Sequence, residues 1–184
     1  MTARAAALIA TLTLSCAAGC GGDAGPPGLA KPGIRLVEAT RTQPDSNLAL
    51  ELHHELSAPV VDALQHGVAL TFEWRLEQRQ PRRFLWDARS WSESSERQVS
   101  YRSLARRYTL VEAATGAATS YPSLTDALAE LNRVEVKLPP AQGESYLRLR
   151  ARLVLSRLPP ALRLPSFLSD QWKVDSGWVR VEPT

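Results

Sequence analysis

The residues of this sequence that could do chemistry are few: three histidines, two cysteines and a set of basic residues that is mostly arginine. His53 stands between Glu51 and Glu55. In an extended strand all three side chains share one face, each carboxylate about 6.8 Å from the imidazole along the chain. Such a row could hold a metal ion or move a proton. Ligands at that spacing converge poorly on one ion without a donor from another element, so a solvated strand face is the expected role. His54 falls in phase with the leucines of the same strand and is expected to be partly buried. His66 is expected at a helix C-terminus, where a cation is mildly favoured. No Gly-x-Ser-x-Gly elbow accompanies the serines, and there is no glycine-rich phosphate loop or metal-type cysteine cluster. The expected protein is therefore not an enzyme and carries no cofactor or metal.

The most distinctive polar feature is Arg148, Arg150 and Arg152, which alternate with Leu149, Ala151 and Leu153, with Arg157 just beyond. Alternation sets the three arginines on one strand face, within reach of glutamates on neighbouring strands: Glu73 and Glu77, or Glu51 and Glu55. A neutralised ladder is the expected role, and a surface for anions, acidic partners or anionic lipid headgroups is the alternative. Of the five tryptophans, Trp74 is expected in the core, while Trp86, Trp91 and Trp178 are candidates for partial exposure. Aromatic anchors are enriched at protein interfaces. Arg148, Arg150, Arg152, Trp86 and Trp178 together form the candidate interaction surface. A formal net charge of +3 is too weak to imply nucleic acid, and the arginine bias itself is what a GC-rich coding sequence produces.

Both cysteines, Cys16 and Cys20, lie in the first twenty residues, so a disulfide framework is excluded for the rest of the chain. Those twenty residues read as an export signal: Arg4, ten apolar-rich residues over 5–14, then small residues. Ten residues are too few to cross about 30 Å of hydrocarbon, which makes this a signal peptide and not a spanning helix. Ala17-Ala18-Gly19-Cys20 resembles a bacterial lipobox, with Ala17 where leucine is usual, and marks Cys20 as the candidate lipidation site. Residues 21–33 contain Gly21, Gly22, Gly25, Gly28 and Gly33 with Pro26, Pro27 and Pro32. They read as a spacer of about 20 Å root-mean-square length. Glycine, not aspartate, comes directly after Cys20, which favours the outer membrane.

The elements that must position these residues show a period of two. Leu48, Leu50 and Leu52 alternate with Glu51 and His53; Leu70, Phe72, Trp74 and Leu76 alternate with Thr71, Glu73, Arg75 and Glu77. One wet face per strand points to antiparallel sheet. Further strands are expected over 34–39, 83–91 and 98–110, the last with one bulge to restore its phase, and at the C-terminus around Gly177. Ser57 is expected to cap a helix over 58–65 that Gly67 ends. Ser123-Leu124-Thr125-Asp126 reads as a capping box opening a second helix. Residues 158–168, with prolines at 159, 160 and 165, cannot form a long helix and are expected to pack across an open sheet face or to form an apolar patch or lid. The 34–184 segment is thus expected to be one β-rich α+β domain. It would hold about eight antiparallel strands, in a sandwich-like or curved sheet, and two short helices.

With these landmarks in place, the chain resembles a bacterial envelope family, domain of unknown function 4390, over roughly residues 34–182. The resemblance lies in Leu56-Ser57, Gly67-Val68-Ala69-Leu70-Thr71-Phe72, Ser100-Tyr101-Arg102-Ser103-Leu104 with Tyr108-Thr109-Leu110, Leu124-Thr125-Asp126-Ala127-Leu128, Leu149-Arg150-Ala151-Arg152-Leu153, Leu158-Pro159, Trp172 and Trp178. These are core and turn residues, so they imply a shared fold more than a shared chemistry. The resemblance implies an exported protein with no assigned activity, of a kind often encoded beside a membrane histidine kinase of the nitrogen-regulation type. A sensor kinase is thereby a candidate partner. A lipobox is not a mark of that family, so lipidation of Cys20 rests on this sequence alone. The expected role is a non-enzymatic binding or accessory module, anchored to a membrane and facing the periplasm. The alternative is a binder of a small apolar or lipid-like ligand, enclosed between the sheet and residues 158–168.

Overall fold

A computed structural model describes residues 32–42, 46–140 and 143–183. Residues 1–31, where the export signal, the lipidation site Cys20 and most of the spacer are expected, lie outside the described residues. Nine strands and three α-helices run in the order β1 (Gly33–Thr42), β2 (Asn47–Glu55), α1 (Ala58–Gln65), β3 (Leu70–Gln80), β4 (Ala88–Arg102), β5 (Arg107–Glu112), β6 (Ala118–Tyr121), α2 (Leu124–Asn132), β7 (Arg133–Lys137), β8 (Tyr146–Leu153), α3 (Pro160–Leu168) and β9 (Val179–Val181). They build two antiparallel sheets, β1-β2-β7 and β6-β5-β4-β3-β8-β9. The sheets share one core, as a sandwich-like β-rich domain requires. Leu48, Leu50, Leu52, Val134 and Val136 of the small sheet belong to the same buried cluster as Leu70, Phe72, Trp74, Leu76, Leu149 and Leu153 of the large one.

Alternation decides which face is which. β2 buries Leu48, Leu50, Leu52 and His54 and exposes Glu51 and His53, the phase its sequence dictates. Arg97, opposite Phe72 in the β3–β4 register, faces inward. Its guanidinium donates to the carbonyls of Glu130 (3.3 Å) and Arg133 (2.7 Å), which ties the large sheet to the end of α2 and the start of β7. α2 begins as its capping box directs: Ser123 Oγ accepts from the Asp126 N–H at 3.1 Å and donates to the Asp126 carboxylate at 2.6 Å. α1 ends at Gly67, whose φ of +87° is the left-handed conformation that glycine adopts without Cβ strain.

Several elements depart from the sequence reading. Gly33 opens β1 and is not part of the spacer. Residues 81–87 are a connection, and β4 starts only at Ala88. The phase change in 98–110 is a turn over residues 103–106, with Arg106 at φ +49°, joining two strands in place of the single bulged strand that alternation predicts. A chain reversal and a bulge shift phase alike, so alternation alone cannot separate them. Ser57 makes no side-chain cap; its hydroxyl donates to the Gln171 carbonyl at 2.6 Å and fastens the start of α1 to the segment after α3. Residues 160–168 do form a short helix. Pro160 occupies its first turn, where the missing N–H costs nothing, and Arg163 Nε donates to the Leu158 carbonyl at 2.8 Å.

Candidate functional site

The outer face of the large sheet carries the arginine row, and the register explains each partner. Arg148 lies opposite Glu77, Arg150 opposite Arg75 and Arg152 opposite Glu73. Arg148 and Arg152 therefore pair across the strands, each with a guanidinium N–H 2.7 Å from a carboxylate oxygen. Arg150 faces a like charge and turns the other way, to Asp175, while Arg75 takes Glu73 on its own strand at 2.9 Å. Asp175 is held in place by the Gly177 N–H at 2.8 Å, in a turn where Gly177 adopts φ +64°. Glu51 and Glu55 lie on the other sheet; Glu55 pairs with Arg35. The expected ladder thus forms with Glu73 and Glu77. Asp175 is the third partner, and no periodicity marks it because it belongs to no regular strand.

Glu77 is the electrostatic centre of this face. It is 2% exposed and receives Arg148 (2.7 Å), Arg79 (2.9 Å) and, more distantly, Arg89 (3.6 Å). Burial raises the cost of its charge, but the hydrogen bonds and charges of Arg148 and Arg79 outweigh it and hold its pKa below the usual carboxylate value. Glu73 and Asp175 are lowered in the same way, against their own burial, by Arg152 and by Arg150 respectively. The indole of Trp178, 39% exposed, lies under the Arg148 guanidinium at 4.0 Å, a cation–π stack that covers the pair.

From Glu77 the network leads to the β3–β4 connection. Arg79 bonds both the Glu77 carboxylate and the Asp87 carbonyl, and the Tyr146 hydroxyl donates to the Asp87 carboxylate. Asp87 is the fixed base of the connection. Beyond it Phe84, Leu85 and Trp86 are 90%, 68% and 93% exposed, preceded by exposed Arg82 and Arg83. The structure therefore links Trp178 and Arg148 to the Trp86 loop, whereas Arg150 and Arg152 continue along β8 away from it. Trp91 is partly buried against the core. Alternation does not find Phe84 and Leu85. Their sign is three consecutive large apolar residues after Pro81-Arg82-Arg83, a run with no period to bury it.

The histidines do not assemble a reactive site. His54 is buried, bonds the Asn132 side-chain oxygen through Nδ1 and meets the edge of Phe72 at 5.1 Å. Burial lowers its pKa to about 4, with Asn132 only partly opposing the shift, so it is a neutral packing residue at pH 7. His66 caps α1 as expected. Among the described residues no group of three His, Cys, Asp or Glu side chains is placed to hold a metal ion, and no helix is long and apolar enough to cross a membrane. A groove of about 330 Å³ runs between the end of β8 and α3, lined by Leu153, Leu155, Phe167, Trp172 and Val174 together with Arg152 and Lys173.

The fold and this surface define a two-sheet antiparallel domain with a charge-paired outer face and a protruding aromatic loop. A family model described as "Domain of unknown function (DUF4390)" matches residues 31–182, and the chain belongs to that family. No curated protein and no solved structure matches it.

Proposed function

We propose that this chain is a non-enzymatic binding or accessory module of the bacterial envelope, with the 81–87 loop as its contact for a protein partner. The observation that carries this reading is the loop itself. Phe84 and Trp86 stand almost fully in water, while Asp87 at the base is pinned by Arg79 and Tyr146. Leaving three large apolar side chains in water forgoes about 1.5–3 kcal/mol each relative to burial. A rigid base also lowers the entropy lost when such anchors dock. The charge-paired arginine face supports the loop: Arg148 and Trp178 brace Glu77, and Glu77 braces Arg79. Export through residues 1–20, a lipid on Cys20, location on the periplasmic side of the envelope and a membrane sensor kinase as partner belong to the same proposal. They draw on the sequence and on the family resemblance.

Co-purification from detergent-solubilised membranes tests it. The Phe84→Ser/Trp86→Ser variant is expected to fold and fractionate as the parent does but to lose the partner that the parent retains. Equal recovery of the partner with both would end the reading. The ligand-binding alternative draws on the β8–α3 groove, whose lining includes the exposed Arg152 and Phe167 as well as apolar side chains.

A further inference from the structure

We propose that α3 seats the opposite end of the domain on an anionic bilayer surface, an inference that rests on the envelope reading above. The helix is amphipathic in an unusual sense. Leu162 packs on the core and Ser166 is fully buried, yet Leu164, Phe167 and Leu168 are 70%, 56% and 80% exposed. Positions i, i+3 and i+4 make one stripe on a helix surface, so these three side chains form a single outward ridge. A ridge on a nine-residue helix is far short of the roughly 800 Å² that a stable protein interface buries on each partner. A few apolar side chains entering the headgroup boundary beside basic residues suit a lipid surface instead.

Two further observations place a membrane at this end. The first is where the N-terminal segment enters the fold. Gly33 pairs with Glu55, Ser57 bonds Gln171, and Gln171 lies three residues beyond Leu168. By chain geometry the entry point is within roughly 30 Å of the ridge. A glycine- and proline-rich spacer over 21–32 would reach about 20 Å by its composition, so an anchor on Cys20 would hold this end, not the Trp86 loop, against the bilayer. The loop lies at the far end of β4, whose fifteen residues extend about 50 Å. The second observation is charge. The β4–β5 turn, at the same end of the sheet as the start of β3, presents fully exposed Leu104 among Arg102, Arg106 and Arg107, none with a carboxylate partner among the described residues. Of the acidic groups at this end, Asp170 is answered by Lys173 at 2.7 Å and Glu55 by Arg35, while Asp126, which follows β6 beside the turn, accepts from Ser123.

The test uses the full chain with Cys16→Ser and Cys20→Ser, which leaves no other cysteine. One new cysteine is then labelled with an environment-sensitive fluorophore, at Leu168→Cys or at the control Val37→Cys on β1. Phosphatidylglycerol-containing vesicles are expected to blue-shift and brighten the probe at 168 and leave the probe at 37 unchanged, with a smaller response to phosphatidylcholine alone. Adding Leu164→Ser and Phe167→Ser is expected to weaken the response at 168 by at least about tenfold in apparent affinity. A silent probe at 168 on protein that sediments with the vesicles overturns the proposal. So does a response without vesicles that grows with protein concentration, because the ridge would then be a self-association face. The envelope reading fails separately, if the mature protein is found in the cytoplasm with an unmodified N-terminus.

Discussion

Replacing Glu77 by glutamine keeps the side chain's volume and removes its charge, which isolates what the arginine cluster contributes to the fold. One oxygen, Oε2, accepts two N–H bonds from Arg148, at 2.7 and 2.9 Å, and contacts from Arg79 at 2.9 and 3.0 Å. Removing one partner of a buried ion pair costs about 3–5 kcal/mol. The Arg148 and Arg79 side chains are 26% and 20% exposed and can partly rehydrate, so a loss of about 2–4 kcal/mol is expected after that discount. For a domain of this size that corresponds to a fall in melting temperature of roughly 5–15 °C. Urea unfolding followed by tryptophan fluorescence at pH 7 measures it, and Trp178 emission should change because Arg148 no longer has a fixed partner. Glu73→Gln is the internal control: its arginines are about 43–44% exposed, and the loss should be near 1 kcal/mol. Equal losses for the two variants, or a loss below about 0.5 kcal/mol for Glu77→Gln, would show that burial does not set the strength of these ion pairs. The pH dependence obeys the same logic. Glu77, Glu73 and Asp175 have folded-state pKa values below their unfolded ones. Their stabilisation is therefore complete above the ordinary carboxylate range and is lost as pH falls toward the lowered values. Glu77→Gln should flatten that acid limb.

His54 adds a second pH effect: with its folded pKa lowered from 6.5 to about 4, stability should be complete above pH 6.5 and decline by up to about 3 kcal/mol as pH falls to 4. Denaturation of His54→Gln across that interval should show a shallower slope than the parent. Ser123→Ala removes the α2 cap and should cost about 0.5–2 kcal/mol, read as a lower urea midpoint with an unchanged m-value. Mass spectrometry of the mature protein is expected to find a diacylglyceryl group on Cys20; a mature terminus downstream of that residue would exclude it.

Strand faces were legible because period-two alternation survives burial. Leu48–Leu52, Leu70–Leu76 and Leu149–Leu153 all face the core, and the arginine row faces out as its phase demands. The α2 cap was legible because its reciprocal bonds are local. What the sequence did not disclose depends on contacts far apart in the chain. Asp175 reaches Arg150 from an irregular turn, Arg97 bonds the end of α2 and the start of β7 from within β4, and Ser57 bonds Gln171 across 114 residues. β7, only five residues, is marked by Val134 and Val136 alone, too few for a secure period. The prolines of 158–168 correctly exclude a long helix but hid a short one: Pro160 falls in the first turn, where it is tolerated, and the helix runs only nine residues with Pro165 inside it.

If the exposed loop between β3 and β4 is a protein contact, site-specific photo-crosslinking in intact cells will capture the partner. With the crosslinker at Leu85, 68% exposed beside Trp86, one discrete membrane-protein adduct is expected, absent when the crosslinker is moved to Val37 and lost when Phe84 and Trp86 are both serine. No adduct at position 85, or the same adduct from position 37, would contradict it.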